Sequence, residues 1–172
     1  MRTCAALLSS ARIRARKEEA IGIEERLAEL GLELPPPAAP VASYIPVRVS
    51  GRLVFVAGQV PLESGEILHP GHLGAEVGLE QGQVAARRCV LQSLAALKAE
   101  LGSLDRVSRI VQVTVFVASA PGFNDQPKVA NGASDLLVEV LGEAGRHARA
   151  AVGVSELPLR APVEVTLIAE ID

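Results

Sequence analysis

The chain has 172 residues and a net charge of −3, so its composition gives no electrostatic case for binding nucleic acid or an anionic membrane. Hydrophobic residues make up 49% but aromatic residues only 2%, which leaves too few rings for a base-stacking platform and predicts an aliphatic core. No apolar run approaches the roughly 20 residues that span a bilayer, and the length suits one domain with one core.

Residues 1–16 are predicted to form a basic, flexible tail, because they contain several arginines and no acid. Three interpretations stay open: a transit peptide, which is typically rich in Arg and Ser, a disordered basic tail, or a start codon placed too early. Cys4 and Cys89 lie far apart without a CxxC spacing, which favours a reducing compartment over a disulfide framework. We therefore expect a cytoplasmic protein.

Residues 17–40 are predicted to comprise an N-terminal helix and a Pro-rich connector. Apolar residues recur at helical spacing up to Leu30, Gly31 stops the helix, and the prolines of residues 34–40 favour an extended chain. Residues 41–172 are predicted to form the globular domain, with this helix docked on it.

Within that domain the first elements are a hairpin and a long helix. Residues 47–49 and 53–57 are β-rich runs separated by Ser50-Gly51-Arg52, and 61–78 reads as loop. An apolar stripe predicts a helix over 79–101, which Gly102 ends.

A strand is predicted over 110–117, with Val111, Val113, Val115 and Val117 on one face. A helix over 126–142 follows, and then two strands, 149–154 and 163–171, joined by a hairpin turn at 157–162. The order predicts an α+β two-layer sandwich, in which two helices cover one face of a mixed or antiparallel sheet. The other face carries Ile110, Phe116 and Ile168, so we expect it to pack against another subunit in a closed oligomer.

Motifs for nucleotide binding, serine hydrolysis and zincin chemistry are absent from the sequence. His69 and His72 have a spacing that a metal site can use, but the Pro-Gly between them and the lack of neighbouring Cys or acidic ligands favour an exposed turn. We therefore predict no metal and no cofactor.

Arg149 opens the run RAAVGV at 149–154, where small neighbours leave its guanidinium accessible. A planar fork of donors matches a carboxylate in bidentate geometry, which Lys cannot do. A structural salt bridge to Glu164 across the predicted hairpin explains Arg149 equally well, so the residues alone leave the two interpretations open.

Several segments together resemble the RidA (reactive intermediate deaminase) superfamily over about three-quarters of the chain. The resemblance is carried by Tyr44, GRLVFVAGQVP at 51–61, DRV at 105–107, VTVFV at 113–117, ARAAVGV at 148–154, LP at 157–158 and VEV at 163–165. It implies a chorismate-mutase-like fold and a homotrimer with ligand clefts between subunits. The N-terminal extension is typical of a less studied branch.

The resemblance also implies the site. Arg149 is expected to hold the carboxylate of a 2-imino acid and Glu164 to orient water, while Tyr44 and the backbone of Gly58 and Ala151 contact the substrate. The expected activity is cofactor-independent hydrolytic deamination of small 2-imino and enamine acids to 2-keto acids and ammonia.

Three positions depart from the better-known family members. Ala151 stands where Cys is frequent, and His147, where Pro is usual, places a titratable group near Arg149 or is a solvated loop residue. Asn131 resembles a cleft asparagine but lies one residue farther from Arg149 than expected, and Asn131-Gly132 is alternatively a turn or kink in the third helix. The alternatives to a deaminase are a non-catalytic protein that binds or senses small 2-keto acids or other carboxylates, and an interaction module with a structural Arg149–Glu164 pair.

Overall fold

The computed structural model describes residues 21–37 and 43–172, so the predictions for the basic tail and for the middle of the connector lie outside the described residues. The elements are helix α1 (Ile23–Glu29), strands β1 (Val47–Ser50), β2 (Leu53–Gln59), β3 (Leu62–Glu63) and β4 (Glu66–Ile67), helix α2 (Leu79–Leu101), strand β5 (Val107–Ala118), helix α3 (Gln126–Leu141), and strands β6 (Ala148–Val154) and β7 (Val163–Ile171). Short 3-10 turns occupy Leu104–Arg106, Gly142–Gly145 and Pro158–Arg160.

The main sheet is mixed and has the strand order β1-β2-β7-β5-β6. Strands β5 and β6 are parallel, and the remaining pairs are antiparallel. Helix α2 connects β2 to β5 and α3 connects β5 to β6, so both crossovers run in the same direction along the sheet. Because such crossovers share one handedness, both helices lie on the same face. The predicted α+β two-layer arrangement is confirmed.

The core lies between this sheet face and the two helices and is aliphatic, as the composition predicts. Strand β7 alternates strictly, with Val163, Val165, Leu167, Ala169 and Ile171 buried and the residues between them half-buried. Helix α2 has the predicted bounds and ends at Gly102, whose φ of +80° and N–H bond to the Lys98 carbonyl form its C-cap.

The N-terminal helix α1 packs on α3 and on the turn Leu104–Arg106. Leu27 is buried in the core, and the Ile23 N–H donates to Asp105 Oδ1 at 2.7 Å. Gly31 adopts a φ of +64° just beyond the helix end, and the Leu32 N–H donates to the Leu27 carbonyl at 2.9 Å. This closing turn is the one that Gly31 predicts.

The hairpin predicted between the last two strands is wrong. Strands β6 and β7 lie on opposite sides of β5, and the segment between them crosses over β5. The segment 157–162 resembles a hairpin turn in sequence, whereas strand partners are decided by packing between residues that are distant in the chain.

The predicted faces of the first half of β5 are also wrong. Ile110 is buried and Val111 is 37% exposed, the reverse of the expectation. The pairing of β5 with β7 shifts between Ile110 and Gln112, and such an irregularity inverts the alternation of the residues before it. Phe116 and Ile168 do lie on the uncovered face as predicted, together with Phe55, which is 41% exposed.

Candidate carboxylate-binding site

Arg149 lies on the edge strand β6 and points toward α3. Its backbone pairs with Val113, a core residue, so the Arg149 side chain leaves the sheet on the helix-covered face. Its Nη1 donates to Asn131 Oδ1 at 2.9 Å and to Ser134 Oγ at 3.0 Å. Asn131 and Ser134 are three residues apart on α3 and therefore share a helix face. Two helical side chains thus hold one end of the guanidinium.

The other end of the guanidinium is only partly used. Nη2 donates to the Pro127 carbonyl at 3.3 Å, which brings the engaged N–H groups to three of the five that a guanidinium carries. The N–H of Nε and the second N–H of Nη2 remain, which is the number that a bidentate carboxylate takes. Among residues 21–37 and 43–172 no acid forms an ion pair with Arg149, and its side chain is exposed.

His147 extends this arrangement from the loop before β6. Its Nδ1 lies 2.6 Å from the Gly145 carbonyl oxygen and its Nε2 lies 3.0 Å from Ser134 Oγ. Since a carbonyl oxygen only accepts, Nδ1 carries the hydrogen, and Nε2 of the neutral ring accepts from Ser134. Burial lowers the pKa of His147, the Gly145 carbonyl raises it, and the charge of Arg149 lowers it. We call Arg149, Asn131, Ser134 and His147 the Arg149 corner.

Glu164 lies elsewhere, on β7 beside Gly58. Its backbone pairs with Phe116, so its side chain lies on the uncovered face of the sheet. The pairing of β2 with β7 shifts between Val56 and Gln59, which turns Gly58 toward that face. A Cβ added to Gly58 would lie 1.7 Å from Glu164 Oε1. We call Glu164 and Gly58 the Glu164 corner.

The carboxylate of Glu164 has no hydrogen-bond donor among the residues that the structure describes, and it is half-buried. Burial therefore raises the pKa of Glu164, because the charged form loses hydration without gaining a partner. A carboxylate of this kind is a better proton acceptor than one in free water.

The alternative interpretation, a structural ion pair between Arg149 and Glu164, is wrong for a single chain. Arg149 is aligned with Val113 and Glu164 with Phe116, three residues along β5, and the two side chains leave the sheet on opposite faces. Strands β6 and β7 are also separated by β5 itself. The two side chains therefore do not meet within one subunit.

The other predicted site residues divide between the two corners. Ala151 lies two residues after Arg149 on β6 and packs against the core. Tyr44 is 48% exposed and lies two residues before Pro46, whose carbonyl accepts from the Ala57 N–H, next to Gly58. Asn131 lies within a continuous α3, so Asn131-Gly132 is neither a turn nor a break in the helix.

Gly132 has a packing role instead of a conformational one. A Cβ there would lie 2.1 Å from the Gln83 carbonyl oxygen of α2, so a glycine is required where the two helices approach. Ser134, by contrast, was not among the predicted site residues. The signal that identifies it is its i, i+3 spacing from Asn131 on the helix preceding the Arg149 strand.

His69 and His72 do not form a metal site with other ligands of the described residues, since no cluster of three metal-binding side chains occurs among them. His72 Nε2 bonds to the Ser155 carbonyl at 3.0 Å, and both Glu76 and Glu156 lie within 3.5 Å of its ring. These contacts raise the pKa of His72, with the Ser155 carbonyl as the main cause. Its evident role is to hold the loop after β6 against the loop before α2.

Among the described helices, none has an apolar stretch that would reach across a lipid bilayer.

A family model described as "YjgF/chorismate_mutase-like, putative endoribonuclease" matches residues 24–171, which includes α1. Protein TCP17 of Trypanosoma cruzi is 46% identical over 151 residues, covering 87% of this chain and 94% of that protein.

Solved structures agree with the family match. A crystal structure of a protein of unknown function from Agrobacterium tumefaciens shares 48% identity and a TM-score of 0.81, covering 87% of this chain and 92% of that one. Escherichia coli TdcF, solved with bound serine, shares 25% identity and a TM-score of 0.56 over 81% of this chain and 94% of its own. The chain therefore belongs to the YjgF/RutC-like (Rid) family.

Proposed function

We propose that this protein is a cofactor-independent hydrolase that converts small 2-imino acids, and the enamines from which they form, into 2-keto acids and ammonia. The observation that carries the proposal is the state of Arg149. Its guanidinium is fixed by three hydrogen bonds, two N–H groups remain free, and no described acid pairs with it. Such a group is prepared for a bidentate carboxylate ligand.

The chemistry needs little beyond orientation and proton transfer. An imine carbon is already electrophilic, so water adds to it: a C–O bond forms, the C=N double bond becomes single, and one proton of the water reaches the nitrogen. The remaining hydroxyl proton then moves to the nitrogen, the C–N bond breaks, and ammonia leaves as the C=O bond of the keto acid forms. Glu164 is suited to take the proton from water and return it to nitrogen, because burial raises its pKa. Membership in the Rid family is consistent with this role.

The two corners must come from different subunits for this to work. Within one chain Arg149 and Glu164 lie on opposite faces of the sheet. The uncovered face carries exposed apolar side chains, including Phe55 at 41% and Val152 at 43%, which favours burial against another copy. A homotrimer with clefts between subunits, which the family resemblance implies, would supply Arg149 and Glu164 from neighbouring copies.

The ligand class has independent support. The relative TdcF was solved with bound serine, a small molecule with a carboxylate next to a carbon that bears nitrogen. A 2-imino acid has the same arrangement of carboxylate, carbon and nitrogen. The Arg149 corner offers the donors that such a carboxylate needs.

A protein that binds or senses small carboxylates without turnover is the second candidate. It is favoured by the fact that one subunit presents the Arg149 corner without a neighbouring carboxylate. The two candidates differ at Glu164, since a binder has no use for a water-orienting group. Glu164→Gln separates them: the deaminase loses turnover, whereas a binder keeps all of its function.

The deciding experiment measures ammonia release from imines generated in situ by an amino-acid oxidase. Arg149→Ala and Arg149→Lys are expected to lower kcat/KM by about a hundredfold or more, because hydrogen bonds to a charged ligand contribute about 1.5 to 3 kcal/mol each. Arg146→Lys is the matched control, since Arg146 is exposed and pairs with Glu143 in the turn before β6. Equal rates of ammonia release with wild-type protein and with buffer would contradict the proposed enzymatic activity. Full activity of Arg149→Lys would contradict bidentate binding of the carboxylate by Arg149.

A further inference from the structure

The hydroxyl of Ser134 has two partners in the Arg149 corner. Its Oγ accepts from Arg149 Nη1 at 3.0 Å and lies 3.0 Å from His147 Nε2, to which it donates when the ring is neutral. A serine within a helix often turns its hydroxyl back to the carbonyl four residues earlier. Ser93 on α2 does so, because its Oγ donates to the Cys89 carbonyl at 3.0 Å. Ser134 is instead turned to a histidine and an arginine from outside its helix.

The ring of His147 accounts for this orientation. A hydroxyl rotates about the Cα–Cβ bond, so a serine has no fixed orientation of its own. When Nε2 of His147 takes the hydrogen of Ser134, the lone pairs of Oγ are left to accept from Arg149. Without that acceptor, the hydroxyl would be free to bond to the Ala130 carbonyl, the local partner that a helix offers.

His147 is itself held by backbone that packs on α3. Its Nδ1 donates to the Gly145 carbonyl at 2.6 Å. Gly145 is buried, and a Cβ added to it would lie 2.1 Å from the Leu137 carbonyl oxygen. The carbonyl that fixes the ring therefore lies directly against the helix that carries Ser134. A continuous chain of contacts runs from the backbone of α3 through Gly145, His147 and Ser134 to Arg149.

This chain ends at the part of the guanidinium that decides its orientation. Nη1 carries two N–H groups in the guanidinium plane, and Asn131 accepts from Nη1 as Ser134 does. With two partners on Nη1 the plane is fixed, whereas Asn131 alone would leave it free to pivot, since the bond to the Pro127 carbonyl is long at 3.3 Å. A guanidinium that is fixed before the ligand arrives binds more tightly than a mobile one.

We propose that His147 is a positioning residue for Arg149, which acts through Ser134 to hold the guanidinium in the orientation that receives a carboxylate. The inference rests on the proposed carboxylate site and deepens it, because it assigns the orientation of Arg149 to a residue outside the contact with the ligand. The family resemblance makes Pro usual at position 147, and the proline side chain has no nitrogen that can accept from a serine. This chain therefore has a support for its arginine that proline does not supply.

The first measurement is calorimetry of 2-oxobutanoate binding at pH 8. The carboxylate of the probe is ionised at this pH, and the ring is neutral because burial holds the pKa of His147 below its ordinary value. His147→Phe keeps a planar ring without nitrogens and is expected to raise Kd about threefold to tenfold, the effect of one lost neutral hydrogen bond. His147→Gln offers an amide oxygen to Ser134 and should stay within about twofold of wild-type affinity.

A double-mutant cycle separates positioning from support of the fold. Ser134→Ala is expected to weaken binding by about the same factor as His147→Phe, and the two changes together should weaken it no further, because they break one chain of contacts. If His147→Phe has its full effect in Ser134→Ala protein as well, His147 does not act through Ser134 and this inference is overturned.

NMR of the Arg149 side chain provides a measurement without ligand. Two partners on Nη1 slow rotation about the Cζ–Nη1 bond, so its two protons should give separate signals, assigned by their loss in Arg149→Lys. These signals are expected to merge in Ser134→Ala and His147→Phe and to stay separate in the control Ser93→Ala.

Three outcomes decide against the inference. Separate Nη1 signals in both variants, or unchanged 2-oxobutanoate affinity in His147→Phe, would overturn it while leaving the Arg149 site intact. An absence of 2-oxobutanoate binding by the wild-type protein would overturn the proposed function and this inference with it.

Discussion

The Arg149 corner and the Glu164 corner hold their charges in opposite ways. The guanidinium of Arg149 is fixed by side chains of α3 and by a backbone carbonyl, although it lies at an exposed edge. The carboxylate of Glu164 is half-buried and lacks a donor among the described residues. A group that binds an anion works best when it is rigid, and a group that accepts a proton works best when no partner stabilises its charged form. We therefore propose that the Arg149 corner binds the anion and that the Glu164 corner transfers the proton.

Replacing Glu164, the proposed proton acceptor, should separate proton transfer from carboxylate binding most strongly. Glu164→Gln keeps the size of the side chain and removes the ionisable group, so we expect kcat to fall about a hundredfold or more while KM changes little. Glu170→Gln is the control, because Glu170 lies on the same strand and pairs with Arg52 and Arg109. Steady-state kinetics of imine hydrolysis decide. A rise in KM with an unchanged kcat would show that Glu164 contributes to substrate binding and not to proton transfer.

A smaller effect is expected from displacing the carboxylate without removing it. A methyl group at Gly58 would overlap Glu164 Oε1, so Gly58→Ala should shift the carboxylate and lower kcat about tenfold, within the range that misplacement of a catalytic group produces. Gly78→Ala is the matched control, because a Cβ there meets its nearest neighbour at an ordinary 3.6 Å. Wild-type kinetics for Gly58→Ala would show that the position of the carboxylate at Gly58 is not the functional one.

Elements encoded by local patterns were predictable from the sequence. The stripe of α2 and the glycine at its end define the helix Leu79–Leu101, and strict alternation defines the buried face of β7. Both signals depend on residues within one element.

The partner of β6 and the face of Ile110 were not predictable in the same way. A turn-like segment precedes β7 and suggests pairing with β6. Strand β7 instead pairs with β5, which ends more than 40 residues before β7 begins, and no local sequence signal indicates this pairing. The irregular pairing near Ile110 inverts the alternation without leaving a Gly or Pro as a sign.

The sequence predicts the charged residues of the candidate site, but not the residues that hold them in place. Arg149 and Glu164 carry chemistry that a sequence displays, whereas their lack of contact depends on the strand order. Ser134 is an ordinary helical serine until the Arg149 strand is placed beside α3. A supporting residue of this kind becomes visible only when two elements are known to be neighbours.

The central claim is that a working site combines Arg149 of one subunit with Glu164 of another, and subunit complementation tests it most directly. Arg149→Ala and Glu164→Gln proteins, each expected to have lost most of its activity, are unfolded, mixed in equal amounts and refolded together, with each variant refolded alone as the control. In the proposed homotrimer, random mixing would give about a quarter of the interfaces both intact residues, so we expect about a quarter of wild-type activity to return. Mixed trimers that form without any gain in activity would contradict the account.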